Sequence, residues 1–147
     1  AKILQNTSQI EIITDSRLRE RNYGIWKGLT WDEVREKYPD EYEIVRNNPV
    51  EGCPTEGESL KDVSVRVLSF FNEIKKRKQN VAIVSHNFPL MILLAHVKGI
   101  EFKNIRSIPY LHNAEIITLK PIKCMDEQQW LIQRPKSAIL AHREKIV

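Results

Sequence analysis

Cysteine is scarce, and so are long apolar runs. Cys53 and Cys124 are the two cysteines of the 147-residue chain. Two are too few for the disulfide framework of a small secreted domain, and they do not form a paired metal-binding motif. Free thiols are expected; the other arrangement that two cysteines allow is a single bridge between them. The densest apolar run, residues 89–97, is short, contains His96 and meets Lys98 immediately after. It falls well below the length needed to cross a bilayer, so a cytoplasmic protein without a membrane partner is expected. Blocks of one charge are missing too: the net charge of +4 arises from 23 basic and 19 acidic residues interleaved along the chain. Such a surface is salt-bridged and mildly attractive to an anionic substrate. No recognition motif or aromatic and basic platform accompanies it, and a nucleic-acid partner is therefore not expected.

What is present fits one domain over residues 1–147, long enough for one real core. Residues 1–6 read as the middle of a helix with no capping residue before it, and no methionine precedes Ala1; an N-terminally incomplete domain is expected. Residues 10–14, IEIIT, read as a short strand, and the arginine-rich residues 15–29, punctuated by Gly24 and Gly28, as a loop. Thr30 and Glu33 have the spacing of a capping box, so a helix should run to about Tyr38 and stop near Pro39. Residues 47–57 hold two prolines and two glycines and read as irregular. From Ser59, the residues Leu60, Val63, Val67, Phe70, Phe71 and Ile74 recur at helical spacing, which predicts the longest helix, to about Lys75. Residues 81–84, VAIV, have the form of a strand buried on both faces. A helix over 90–97, strands over 114–119 and 130–133 and a terminal helix over 137–145 complete the pattern. Alternating strands and helices predict an α/β sandwich with a mostly parallel central sheet flanked by helices.

Two stretches carry chemistry. In VAIVSHNFPL, residues 81–90, the strand delivers Ser85, His86 and Asn87 at its carboxyl end, where ligands sit in open α/β sheets. Position alone leaves two roles open for His86, a ligand-facing imidazole or one that merely closes the strand. In DSRLRERNYGIWKGLT, residues 15–30, Arg17, Arg19 and Arg21 crowd around Glu20. A surface loop with internal ion pairs would look the same.

Taken together, in order and spacing, these stretches resemble the histidine phosphatase superfamily, which includes the cofactor-dependent phosphoglycerate mutases and many small phosphatases. The resemblance runs from about Ala1 to Leu119 and extends to PTEGESLKDVSVRV, like the segment opening the family's long helix, and LHNAEIITL, like its following strand. It implies phosphoryl transfer through a phosphohistidine, with no metal or other cofactor. In that chemistry an acidic residue protonates the departing alkoxide, and fixed cationic donors hold the phosphoryl oxygens. By motif, Glu20 falls on the proton donor and His86 on the second, phosphate-binding histidine. Arg21 and Tyr23 match positions that contact substrate in the mutase branch. Asn87 stands where the family usually has glycine and could add a donor to the pocket. Glu58 and Ser59 match a Gly-Glu-Ser segment whose expected role is helix capping and loop support.

One departure is large. The resemblance implies a nucleophilic histidine in an Arg-His-Gly motif at the end of a first strand, and none of His86, His96, His112 and His142 has those neighbours. That strand is expected upstream of Ala1. The mutase branch has a longer insertion between the acidic loop and the Gly-Glu-Ser segment, where only Glu41 to Thr55 stand here, and this favours a phosphatase acting on small phosphomonoesters. A phosphoglycerate mutase and a catalytically inactive module binding a phosphorylated ligand or protein are the alternatives. A homodimer is compatible with this reading.

Overall fold

The computed structural model describes residues 11–77, 80–124 and 127–133, the stretch 122–130 by its backbone alone. Four helices and one hairpin make up the regular structure of these residues: α1 (Trp31–Lys37), α2 (Pro39–Asn47), α3 (Leu60–Ile74), α4 (Asn87–Val97), β1 (Thr118–Cys124) and β2 (Glu127–Gln133). Short 3₁₀ turns occupy Ser16–Leu18, Gly24–Trp26 and Phe102–Ser107. The expected helical segments at 1–6 and 137–145 lie outside the described residues. No helix among the described residues is long and apolar enough to cross a membrane.

Local chemistry explains the helix starts. Thr30 and Glu33 form the expected capping box, each side chain accepting from the other's backbone amide. Ser59 and Asp62 do the same for α3. Tyr38 closes α1, yet Pro39 does more than stop it: proline sits at the first position of α2, where its missing N–H would be unpaired in any helix. Helix α4 starts three residues earlier than expected. Pro89 falls in its first turn and therefore sacrifices no intrahelical bond.

The core has two parts. Leu60, Val63, Val67 and Phe71 of α3 meet Met91, Ile92, Leu93, Leu94 and Ala95 of α4, joined by Ile105 and Ile108. Five consecutive buried residues make α4 a helix enclosed on nearly all sides, whereas α3 presents one stripe. A smaller cluster under the acidic loop gathers Trp26, Val34 and Val45.

The mostly parallel sheet is not formed among the described residues; the one sheet there is the antiparallel pair β1 and β2, in register from Thr118 opposite Gln133 to Cys124 opposite Glu127. A strand exists only with a hydrogen-bonded neighbour. Residues 11–14 and 81–86 have none here. Residues 81–86 also alternate, with Ile83 and Ser85 turned inward and Val84 left 60% exposed, so this segment is not buried on both faces. Residues 114–117 stay out of the ladder because a turn precedes it: Ala114 has φ +60°, and Glu115 N–H donates to the His112 carbonyl at 3.0 Å. The ladder begins at Thr118 and extends the last expected strand back to Glu127.

The acidic loop is fastened to residues 52–58 by close backbone approach. Gly24 has φ +55°, and a Cβ there would stand 1.9 Å from the Thr55 carbonyl oxygen, which accepts from the Ile25 amide at 3.1 Å. Gly24→Ala should therefore destabilise the protein by more than about 1 kcal/mol, read as a fall of roughly 4 °C or more in Tm. An unchanged Tm would contradict this packing.

Candidate active site

The expected site residues lie on two segments, the loop at 19–25 and the start of α4. Arg21 is the most enclosed, only 8% exposed. Its Nε donates to the Glu58 carbonyl at 2.7 Å and its Nη2 to the Gly52 carbonyl at 3.0 Å. Its guanidinium lies 5.4 Å from the Tyr23 ring centroid and 5.9 Å from that of Phe88. Phe88 belongs to the first turn of α4, so these contacts bring the acidic loop to the helix start. Tyr23 meets Phe88 edge-on at 6.4 Å and Trp31 at 5.8 Å.

Electrostatics follow from that enclosure. Burial pulls the Arg21 guanidinium below its ordinary value, and the neighbouring charge of Arg106 adds to this, while Tyr23, Cys53 and Glu58 act in the opposite sense. An arginine so placed stays a cation. Burial pushes the Tyr23 hydroxyl up to about 12, so it is a neutral donor at physiological pH. Cys53 is a free, exposed thiol, raised by partial burial.

At the helix start, His86 is the exposed N-cap and makes no side-chain capping bond. The Leu90 amide returns to the His86 carbonyl at 3.2 Å. The amides of Asn87 and Phe88 remain unpaired among the described residues, the usual condition of a first helical turn and one suited to an anion. Asn87 Oδ1 accepts from the Leu111 amide at 3.2 Å, which leaves its Nδ2 as a donor. Ser85 Oγ donates to the Leu18 carbonyl at 2.6 Å, a second tie between the two segments.

Glu20 is half-buried, and its Oε1 accepts from the Arg21 amide at 2.8 Å. Its Oε2 has no donor among the described residues. No hydrogen bond or ion pair joins Glu20 to His86.

Sequence reasoning missed Arg66. This α3 side chain is 12% exposed and makes five hydrogen bonds: Nη1 to the Arg17 and Arg19 carbonyls, both at 2.7 Å, Nη2 to the Glu20 carbonyl at 3.1 Å, and Nε and Nη2 to the two Glu58 carboxylate oxygens, both at 3.0 Å. Glu58 also accepts from Arg19 Nη2 at 2.7 Å and the Asn22 amide at 2.9 Å. Glu58 thus supports the loop while Ser59 caps the helix, as expected. Arg66 borders the apolar stripe of α3, where pattern alone reads a solvated charge. Phe88 lies outside the helix expected over 90–97, and its ring carries no separate signal in the sequence.

Solved structures show which fold this is. The mycobacterial glucosyl-3-phosphoglycerate phosphatase in complex with inorganic phosphate matches 88% of this chain and 67% of its own with a TM-score of 0.74, at 21% identity. The fold is accordingly the one that phosphatase has. The chain belongs to the histidine phosphatase superfamily, branch 1, whose family model matches residues 1–135. Phosphoserine phosphatase 1 of Hydrogenobacter thermophilus is 31% identical over 106 residues, 71% of this chain and 50% of that protein. The 2,3-bisphosphoglycerate-dependent phosphoglycerate mutase of Methanosarcina acetivorans is 34% identical over 103 residues, 67% of this chain and 42% of the mutase. The chain spans about half the length of these curated relatives.

Glu58 gives the site a pH signature. Burial alone would raise its carboxyl; the hydrogen bonds from Arg66 and Asn22, with the charges of Arg66 and Arg19, outweigh burial and hold it below the ordinary range. A depressed folded value contributes stability that is present above the unfolded value of about 4.3 and is lost as pH falls through the folded one. Tm measured against pH should show Glu58→Gln less stable than wild type at neutral pH, with the two curves converging in acid. Parallel curves would contradict the ion pair.

Proposed function

We propose that this chain is part of a phosphatase for small phosphomonoesters, acting through a phosphohistidine whose nucleophile lies in an Arg-His-Gly segment upstream of Ala1. The observation that carries the proposal is the seating of buried, cationic Arg21 against Phe88 in the first turn of α4, beside His86 and the unpaired Asn87 and Phe88 amides. A phosphoryl group there meets donors from three sources: the imidazole, the helix start and the Asn87 amide. Arg21 supplies enclosed positive charge behind them.

The reaction has two halves. The nucleophilic nitrogen attacks phosphorus as the ester P–O bond breaks, and Glu20 gives its proton to the leaving alkoxide. Glu20, now a carboxylate, takes a proton from water whose oxygen attacks phosphorus; the P–N bond breaks and inorganic phosphate departs. Glu20 suits both steps because one carboxyl oxygen is fixed by the Arg21 amide and the other is unoccupied. His86 binds phosphoryl oxygens throughout.

A phosphatase is favoured over a mutase by what fills the interval after the acidic loop: two helices of seven and nine residues and a turn. That leaves little chain to enclose a bisphosphate or exclude water. The mutase alternative draws on Arg21 and Tyr23, and would appear as phosphoryl exchange between a bisphosphate and a monophosphate.

In the native gene product, His86→Ala and Glu20→Gln should each lower kcat/KM on phosphomonoesters by about 10²-fold or more. The Glu20→Gln loss should shrink for good leaving groups, which need no proton. Wild-type rates in both variants would remove these residues from the site; phosphate binding without turnover in the wild type would point instead to the inactive binding module.

A further inference from the structure

We propose that Arg66 is a positioning residue for the proton donor: its guanidinium fixes the backbone that presents the Glu20 carboxyl. The proposal rests on the phosphatase reading, in which Glu20 gives and takes the proton.

Residues 19–22 have no regular structure to hold them, and the turn before them is a single 3₁₀ turn at Ser16–Leu18. A general acid on so irregular a segment needs another anchor, since small displacements of a reacting group weaken proton transfer sharply. Arg66 supplies it from α3, a fifteen-residue helix with a buried face. Three carbonyls of the loop, those of Arg17, Arg19 and Glu20, converge on its two terminal nitrogens. The remaining N–H groups meet the Glu58 carboxylate side-on.

The geometry selects arginine. Five donors in one plane can hold a carboxylate along one edge and carbonyls along the others; a lysine ammonium has three donors at one point and cannot span both. The Glu58 carboxylate also balances the guanidinium charge, so the anchor holds the loop without presenting a naked cation to the donor carboxyl. Glu58 is tied in turn to the Asn22 amide, and the Glu58 carbonyl accepts from Arg21. Glu20 thus lies between two anchored points, its own carbonyl on one side and Arg21 on the other.

A purely structural peg would lower all activities together, whereas a positioning residue lowers those that depend on the proton. The test uses the native gene product with two substrates, p-nitrophenyl phosphate, whose leaving group needs no proton, and ethyl phosphate, whose leaving group does. Arg66→Met and Arg66→Lys should lower kcat/KM on ethyl phosphate by about 10²-fold and on p-nitrophenyl phosphate by less than about fivefold. Combined with Glu20→Gln, the losses should not add. Equal losses on both substrates in both folded variants would overturn the proposal. Amide hydrogen exchange at residues 19–22 supplies a readout independent of turnover: faster exchange in Arg66→Met is expected, and unchanged protection would also overturn the proposal. Should wild type hydrolyse neither ester, the phosphatase reading falls, and exchange still decides whether Arg66 holds the loop.

Discussion

The ion pair between Glu58 and Arg66 is the constraint on which the candidate site depends. Both side chains are largely enclosed, at 13% and 12% exposure, and between them they collect the loop from Arg17 to Asn22. An isolated surface pair contributes little, but this one is two-pronged and hydrogen-bonded on its remaining edges, the condition under which an enclosed ion pair is favourable. Removing Arg66 would leave Glu58 to the more exposed Arg19 and the Asn22 amide, and removing Glu58 would leave the enclosed Arg66 guanidinium on neutral carbonyls alone. Without Arg66 the loop would keep its hold on residues 52–58, and its ties to α3 would reduce to those of Arg17 with Glu73 and Phe70.

Helix packing sets the other half. The stripe of α3 and the almost fully buried α4 share one core, so the direction of α4 is fixed by Val63, Val67, Met91 and Ile92. Its N-terminus is thereby delivered to the acidic loop. Phe88 closes the junction, touching Tyr23 and Tyr110 edge-on and lying under Arg21. One pair of packed helices thus carries Arg66, the proposed anchor of the proton donor, and the proposed phosphate-binding end, His86 and Asn87.

Much of this is legible in the residues alone, and the failures have physical causes. Capping at Thr30 and the stripe from Leu60 to Ile74 are local patterns, and both helices form where those patterns lie. The stretch from Asp15 to Thr30 and the residues around His86 stand out because charged and polar side chains interrupt the apolar pattern. Strand pairing is not local: VAIV has strand composition, but a ladder needs a neighbour that composition cannot name, and the hairpin that forms is closed by proximity in the chain. Pro39 is read as a stop although the same ring that ends one helix is at home at the start of the next. Arg66 is invisible in a pattern because its five acceptors come from residues 8 to 49 positions away.

Under the proposed function, the acidic loop and the start of α4 form one anion-binding site. The most direct measurement is a titration of the native protein with inorganic phosphate, followed by backbone amide NMR. Saturable shifts at Arg21, His86, Asn87 and Phe88, lost in His86→Ala, are the predicted result. Shifts confined to the open cleft formed by Ile100, Lys103, Asn104 and Arg106, or none that saturate, would contradict it.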